Sequence, residues 1–411
     1  MGKFYEPATL VPMQGTFATK ARDRLWLMFF TMGIVSMAWI PRIPEIKEAN
    51  RLSDSEFGLV LISSSVGAVF GAQISGRLIH RYGSRVVMLF SAILVSVGVA
   101  IMGMSASPVV LVIGLFVMGF SYGALDVGGN AQAVAIEGHL SKRYIISFHG
   151  MWSLGTLAAT IFGATVSHFL TPAQNLLLVA GVGLVVFILA TRQLLSPDFD
   201  GHLGTDDGEE KARVSVPWFA IAVIPLWLAG IGASASMVAE GAAADWGALL
   251  LRDWMDVGKG YYASAFATFG IAMLISRFLG DRWLERFGPY RVVRYLGVIG
   301  GLVWGSAILL GVMLSSEAPL IAMVVVNTGF FFAGIAIGPM FPAFILAASA
   351  IKGVAPSIGI ARVGVISIGA YFVGPTLVGV LSDALTLPYA MMYPALALVL
   401  AGYLGKVFKN N

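Results

Sequence analysis

Asp126 and Asn130 stand four residues apart in Gly123-Ala124-Leu125-Asp126-Val127-Gly128-Gly129-Asn130-Ala131. A helix therefore puts a carboxylate and an amide on one face, among glycines that open room for a ligand or a neighbouring helix. In apolar surroundings an isolated carboxylate can take up and release a proton, and it can equally be a structural hydrogen-bonding group between helices. Glu240 offers the same acid chemistry in Met237-Val238-Ala239-Glu240-Gly241-Ala242-Ala243-Ala244-Asp245-Trp246. Asp245 is expected nearer the end of that helix, in a capping or gating role or in contact with a ligand. His149, in Ser147-Phe148-His149-Gly150-Met151-Trp152, carries an imidazole that can titrate, hydrogen-bond a polar ligand, or be satisfied by a backbone carbonyl. Trp39, Tyr122, Trp152, Trp227 and Phe341 can supply a stacking surface for a sugar or ring, or act as packing and interface anchors. Glu137 is expected to pair with Lys142 or Arg143. Arg362 is expected to snorkel to the interface, and Arg277 to lie near a helix end.

The elements that position these groups follow from composition. Of 411 residues, 58% are hydrophobic, 12% are charged and none is cysteine, and the mean hydropathy is +0.85. Soluble domains carry about 25% charged residues, so this chain cannot cover a soluble surface. Disulfides and thiol chemistry are excluded. A membrane helix needs about 20 apolar residues, and apolar segments fall at roughly 24–41, 56–79, 86–105, 107–134, 144–169, 174–191, 216–243, 260–280, 292–314, 318–349, 355–382 and 388–405. They are too long and too uniformly apolar for the alternating strands of a barrel. The expectation is an all-α membrane protein with twelve transmembrane helices. Asp126 then lies mid-way along the fourth span, His149 near the start of the fifth and Glu240 late in the seventh. Residues 1–20 lack a basic start followed by an apolar run, so no cleaved signal and no lipid anchor are expected, and the first span serves as the insertion signal.

With the N-terminus inside, the outward segments hold Arg42, Lys47, Arg51, Arg252 and Lys259, and the other 21 of the 26 Lys and Arg fall on the inner side. Both termini are expected to be cytoplasmic, in the inner membrane of a cell. The net charge of +4 is then a positive-inside effect and does not indicate a nucleic-acid partner. The polar stretch 193–215, with Asp198, Asp200, Asp206, Asp207, Glu209 and Glu210, is expected to be a flexible, solvated linker between a six-helix half at 1–192 and another at 216–411. Its acids lack the spacing of a metal loop. No Ser/His/Asp order, metal cluster or nucleotide loop stands in the chain, so no enzymatic activity, metal or other cofactor is expected.

The halves repeat. Gly76-Arg77-Leu78-Ile79-His80-Arg81-Tyr82-Gly83-Ser84-Arg85 separates spans two and three, and Asp281-Arg282-Trp283-Leu284-Glu285-Arg286-Phe287-Gly288-Pro289-Tyr290-Arg291 separates spans eight and nine. Arg81 and Arg286 are 286 − 81 = 205 residues apart, as are Gly83 and Gly288, half the chain length. Each segment makes a tight basic turn with Gly permitting the bend. These residues resemble the conserved loop of the major facilitator superfamily, Gly-x-x-x-Asp-Arg-x-Gly-Arg-Arg. The resemblance implies the major facilitator fold, two six-helix repeats, and a gating role for Gly76, Arg81, Gly83, Arg85, Glu285, Arg286 and Gly288. In that family the acid of the loop helps latch the halves on the cytoplasmic side. Here His80 replaces it in the first copy and Glu285 keeps an acid in the second.

The stretch around Asp126 and Asn130 is similar to the fourth helix of the fucose:proton symporter family. Glu240 resembles that family's acid in helix 7, and Gly338-Pro339-Met340-Phe341-Pro342 its Met-Phe-Pro segment. Pro375-x-x-x-Gly379-x-x-x-Asp383 matches a family pattern, and Phe148-His149-Gly150 with Ser153-Leu154-Gly155 is similar to a bacterial branch nearby. Together these imply a secondary active transporter moving a small polar solute, of sugar, polyol or cyclitol type, by proton-coupled alternating access. Asp126 and Glu240 are assigned to proton coupling, and Asn130, His149, Trp152, Trp39, Tyr122 and Phe341 to the solute. The implied partners are a small-molecule substrate, protons and membrane lipid, with the chain a monomer. The alternative is proton-driven export of a drug-like or amphipathic metabolite, since the fold hosts both directions.

Overall fold

The computed structural model describes residues 15–142, 144–200, 224–349, 351 and 356–409. The acids Asp206, Asp207, Glu209 and Glu210, the first fourteen residues and the Arg362 side chain lie outside the described residues. Fifteen α-helices are found among them: α1 (Gly15–Met37), α2 (Ile43–Ala49), α3 (Asp54–Tyr82), α4 (Ser84–Gly103), α5 (Pro108–Leu140), α6 (Ile145–Val166), α7 (Pro172–Thr191), α8 (Ile224–Met255), α9 (Ser264–Phe287), α10 (Pro289–Leu314), α11 (Pro319–Ile337), α12 (Met340–Ser349), α13 (Pro356–Ala384), α14 (Leu387–Ala390) and α15 (Met392–Leu404). The described residues contain no strand.

Ten segments among the described residues are long and apolar enough to cross a membrane. α6 and α13 stand where the fifth and eleventh of the twelve expected spans fall. Three boundaries shift for physical reasons. α8 runs to Met255 rather than stopping at 243, and α9 runs to Phe287 rather than 280, because charged residues in the last turns of a helix do not end it. The tenth span breaks between α11 and α12 at Gly338-Pro339, where Pro cannot continue the ladder.

The chain packs as two compact units. The first comprises Met1–Trp39, Ser63–Ala159 and Ala173–Val214. Its core includes Leu25, Phe29, Val95, Leu115, Ile136 and Phe148, all at most 2% exposed. α1 meets α6 at Gly33 and Gly155, where the facing backbones of Trp152 and Phe30 leave no room for a Cβ. The second unit comprises Ile40–Ile62, Thr160–Pro172 and Ser215–Asn411, with Trp246, Phe269, Trp304, Phe330 and Phe344 fully buried.

The repeat is visible in the backbone. Gly83, between α3 and α4, has φ 82° and ψ 156°, and Gly288, between α9 and α10, has φ 80° and ψ 148°. Both angles lie in a region open essentially to glycine alone. Gly76 is exposed on α3, Arg85 is half-buried in the first turn of α4, and Arg81 lies over the Tyr82 ring at 5.2 Å. Arg286 lies over Phe287 at 5.4 Å, and Glu285 is exposed without an ion pair among the described residues.

Candidate functional site

In the first unit the site is built from α5, α6 and α1. Pro108 starts α5 at a position where a missing N–H costs nothing. From there the helix runs unbroken through its glycines, so Tyr122, Asp126 and Asn130, spaced by four, form one stripe. On α6, His149 and Trp152 are three residues apart and share a face. The two stripes meet at two levels. The Tyr122 and Trp152 rings lie 6.4 Å apart, and His149 Nε2 is 3.2 Å from Asn130 Oδ1.

The hydrogen bonds fix the order of this cluster. Asn130 Nδ2 donates to the Asp126 carbonyl oxygen at 2.9 Å, which leaves Oδ1 facing the imidazole. An amide oxygen only accepts, so in this contact His149 Nε2 is the donor. His149 also interacts electrostatically with Asp126. Phe29 of α1 meets the imidazole edge-on at 5.3 Å and stacks on Phe148 at 5.7 Å. The Trp152 Nε1–H is buried with no acceptor among the described residues. The result is an amide that bonds the Asp126 backbone carbonyl on one side and meets an imidazole on the other, walled by aromatic rings, with a spare donor beside them.

Two further expected members stand on other segments. Trp39, 5% exposed, lies past the end of α1, and among the described residues no ring contact or hydrogen bond links it to the cluster. Phe341 is in α12 of the second unit. Glu137 accepts a hydrogen bond from the Tyr144 backbone N–H, so it ties down the connection between α5 and α6.

The second unit holds a different acid site. Glu240 is 240 − 224 = 16 residues from the start of α8 and 255 − 240 = 15 from its end. Its Oε1 lies 3.6 Å from Arg277 Nη2, the side chains being 24% and 35% exposed. Since α9 continues ten residues past Arg277, this arginine sits within the helix rather than near its end. Asp245 is also ten residues inside α8, about 15 Å from the helix end at 1.5 Å per residue, so it caps nothing. The two residues stand on different helices, 277 − 240 = 37 positions apart, and no periodicity within either helix shows that these faces meet.

A polar cluster gathers the connecting segments of the same unit. Glu45 accepts from Arg42 Nε at 2.6 Å and from the Tyr262 hydroxyl at 3.0 Å, and lies 3.2 Å from Lys259 Nζ. Arg252 donates to the Pro44 carbonyl at 2.7 Å. Asp383, just past the eleventh expected span, accepts from the Asp54 and Ser55 backbone N–H groups at 3.1 and 3.0 Å and so caps α3. Burial pushes the Asp383 carboxyl up, but hydrogen bonds from Ser55, Ser53 and Asp54 outweigh it and hold the group below the usual carboxylate value.

Comparison with known proteins agrees with this architecture. The chain is 29% identical to the uncharacterized transporter y4wD of Sinorhizobium fredii over 385 residues, 93% of this chain and 96% of that one. It is 26% identical to an uncharacterized MFS-type transporter of Yersinia pestis, over 91% of this chain and 92% of that one. The crystal structure of a point mutant of the nucleoside transporter NupG superposes with a TM-score of 0.74 at 12% identity, covering 94% of this chain and 99% of that one, which shows a shared fold. The sequence family described as the Major Facilitator Superfamily matches residues 25–358. A multi-pass helical chain with a duplicated basic turn, matched over most of its length, belongs to the Major Facilitator Superfamily of membrane transporters.

Proposed function

We propose that the chain is a secondary active transporter that moves a small polar solute of sugar, polyol or cyclitol type, with proton coupling through Asp126 and a second deep acid, Glu240. The observation that carries this reading is the grouping of the mid-helix Asp126 with Asn130, which donates to its backbone carbonyl, and with His149, which meets Asn130 Oδ1. A charge at the centre of a span costs about 2.5–3.5 kcal/mol, so an acid kept there has a task. Asn130 connects the acid's helix to His149, and the Tyr122 and Trp152 rings, the buried Trp152 donor and the Phe29 edge suit the apolar faces and hydroxyls of such a solute. The membrane potential supplies about 2.3 kcal/mol per charge per 100 mV, enough for concentrative uptake with one proton.

The test uses proteoliposomes with an internal pH dye, challenged with a panel of hexoses, polyols and cyclitols. A member of the panel should carry protons inward with it, and Asp126→Asn should lower that proton movement at least tenfold. Panel members that move without protons, or an Asp126→Asn protein that still acidifies the lumen as the natural one does, would overturn the assignment. Proton movement opposite to that of an amphipathic compound would instead support export.

A further inference from the structure

The polar stretch after α7 does not begin as a free linker. Leu194 and Leu195 are fully buried, and Asp200 is 6% exposed. The Leu195 N–H donates to Gln132 Oε1 at 3.0 Å, and Gln132 Nε2 donates to the Leu195 carbonyl at 2.9 Å and to Ser84 Oγ at 2.8 Å. The Ser84 N–H and hydroxyl both donate to Asp200 Oδ2, at 2.6 and 2.7 Å. His139 Nε2 lies 2.9 Å from the Phe199 carbonyl, and Arg24 Nε donates to Gln193 Oε1 at 2.9 Å. Gln132 and Ser84 are fully buried, so the Asp200–Ser84–Gln132–Leu195 core of this network is sealed from water, where each bond depends on the others being made, while the Arg24 bond lies at the surface.

Its position gives it meaning. Ser84 is the first residue of α4, directly after the first basic turn, and a Cβ on Gly83 would meet Pro197 at 2.7 Å and Asp200 Oδ2 at 3.1 Å. Gln132 and His139 belong to α5, the helix of Asp126 and Asn130, and Gln132 follows Asn130 by two residues. The turn thus closed is the copy that carries His80 in place of the family's acid. Among the described residues the second copy has no such cover: nothing lies within 4 Å of a Cβ on Gly288.

We propose that residues 193–200 are a strap, pinned by Asp200, that locks the first basic turn to the lower part of the helix bearing Asp126. The strap fastens the turn and the site helix into one plate, so the connection to the second half starts after residue 200 rather than at 193. This goes beyond the transport reading and does not depend on the solute.

Hydrogen exchange read by mass spectrometry on the purified full-length protein in lipid nanodiscs tests it, since amides open singly or as cooperative units. In the natural protein, peptides covering Ser84 and Leu195 should both be protected. Asp200→Asn should raise exchange at least tenfold in both peptides together. Gln132→Leu should do the same from the other end, and Asp198→Asn, at an exposed neighbour, should change neither. Exchange rising only at Ser84 in Asp200→Asn would reduce Asp200 to a local cap and overturn the strap, as would an unprotected Leu195 in the natural protein. Because no solute is added, a failed transport assignment leaves this result unaffected.

Discussion

Asp126 and Glu240 sit at similar depth in their helices, yet their surroundings differ in kind. Asp126 has an amide and a titratable ring around it, groups whose charge can change or is absent. Glu240 has Arg277, whose charge is permanent. The difference teaches that two acids selected from sequence by the same criterion, depth, need not share one job. An acid beside neutral or titratable partners can alter the net charge of its site by one when a proton arrives. An acid beside a fixed cation starts from a neutral site and becomes a net cation when protonated. Both acids are assigned to proton coupling in our proposal, and their different partners make the two assignments separately testable.

That contrast can be broken or sharpened by mutation. The largest effect is expected from Arg277→Gln, which strands Glu240 without its counter-charge at a cost of about 2.5–3.5 kcal/mol. Folded yield and apparent Tm in detergent should fall and should recover in Glu240→Gln/Arg277→Gln, which removes both charges. A double mutant as unstable as the single one would mean that the pair is not the reason Arg277 is tolerated. Next, His149→Gln keeps a hydrogen bond to Asn130 but removes the titratable ring. The pH dependence of proton-linked transport should flatten while solute exchange persists, and an unchanged profile would assign the titration elsewhere.

The two basic turns extend the comparison. Ala at Gly83 or Gly288 should cost about 1–3 kcal/mol for the backbone angle. Gly83→Ala should cost more, because its Cβ also meets Pro197 and Asp200. Equal Tm losses would argue that the strap gives way freely. The smallest effect concerns Asp383. Its carboxyl is held below the ordinary value of about 3.9, so its contribution is present above that pH and is lost as pH falls through the depressed value. Asp383→Asn should therefore lower Tm at pH 7 slightly, with the gap to the natural protein closing in strong acid.

Much of this was legible in the sequence, and the exceptions have physical causes. Apolar length announced the spans, and the 205-residue offset announced the twin turns, which the matching φ and ψ of Gly83 and Gly288 then bear out. The spacing of Asp126 and Asn130, and the nearness of His149, were readable because they depend on helical periodicity and on adjacent helices. Pro375, Gly379 and Asp383 were recognisable as a pattern, and the structure shows its use: Gly379 admits the backbone of Asp54 while Asp383 caps α3. The Glu240–Arg277 pair was hidden because it joins two helices, and helical periodicity within each says nothing about which faces meet. The strap was hidden because Leu194 and Leu195 are too short an apolar run to register, and Asp200 finds its partner 116 residues away.

The most direct test of the central claim is the simultaneous measurement of solute and proton flux in Asp126→Asn proteoliposomes. Solute exchange across the membrane should continue while inward proton movement falls at least tenfold. Proton flux that keeps pace with solute in this variant would contradict it.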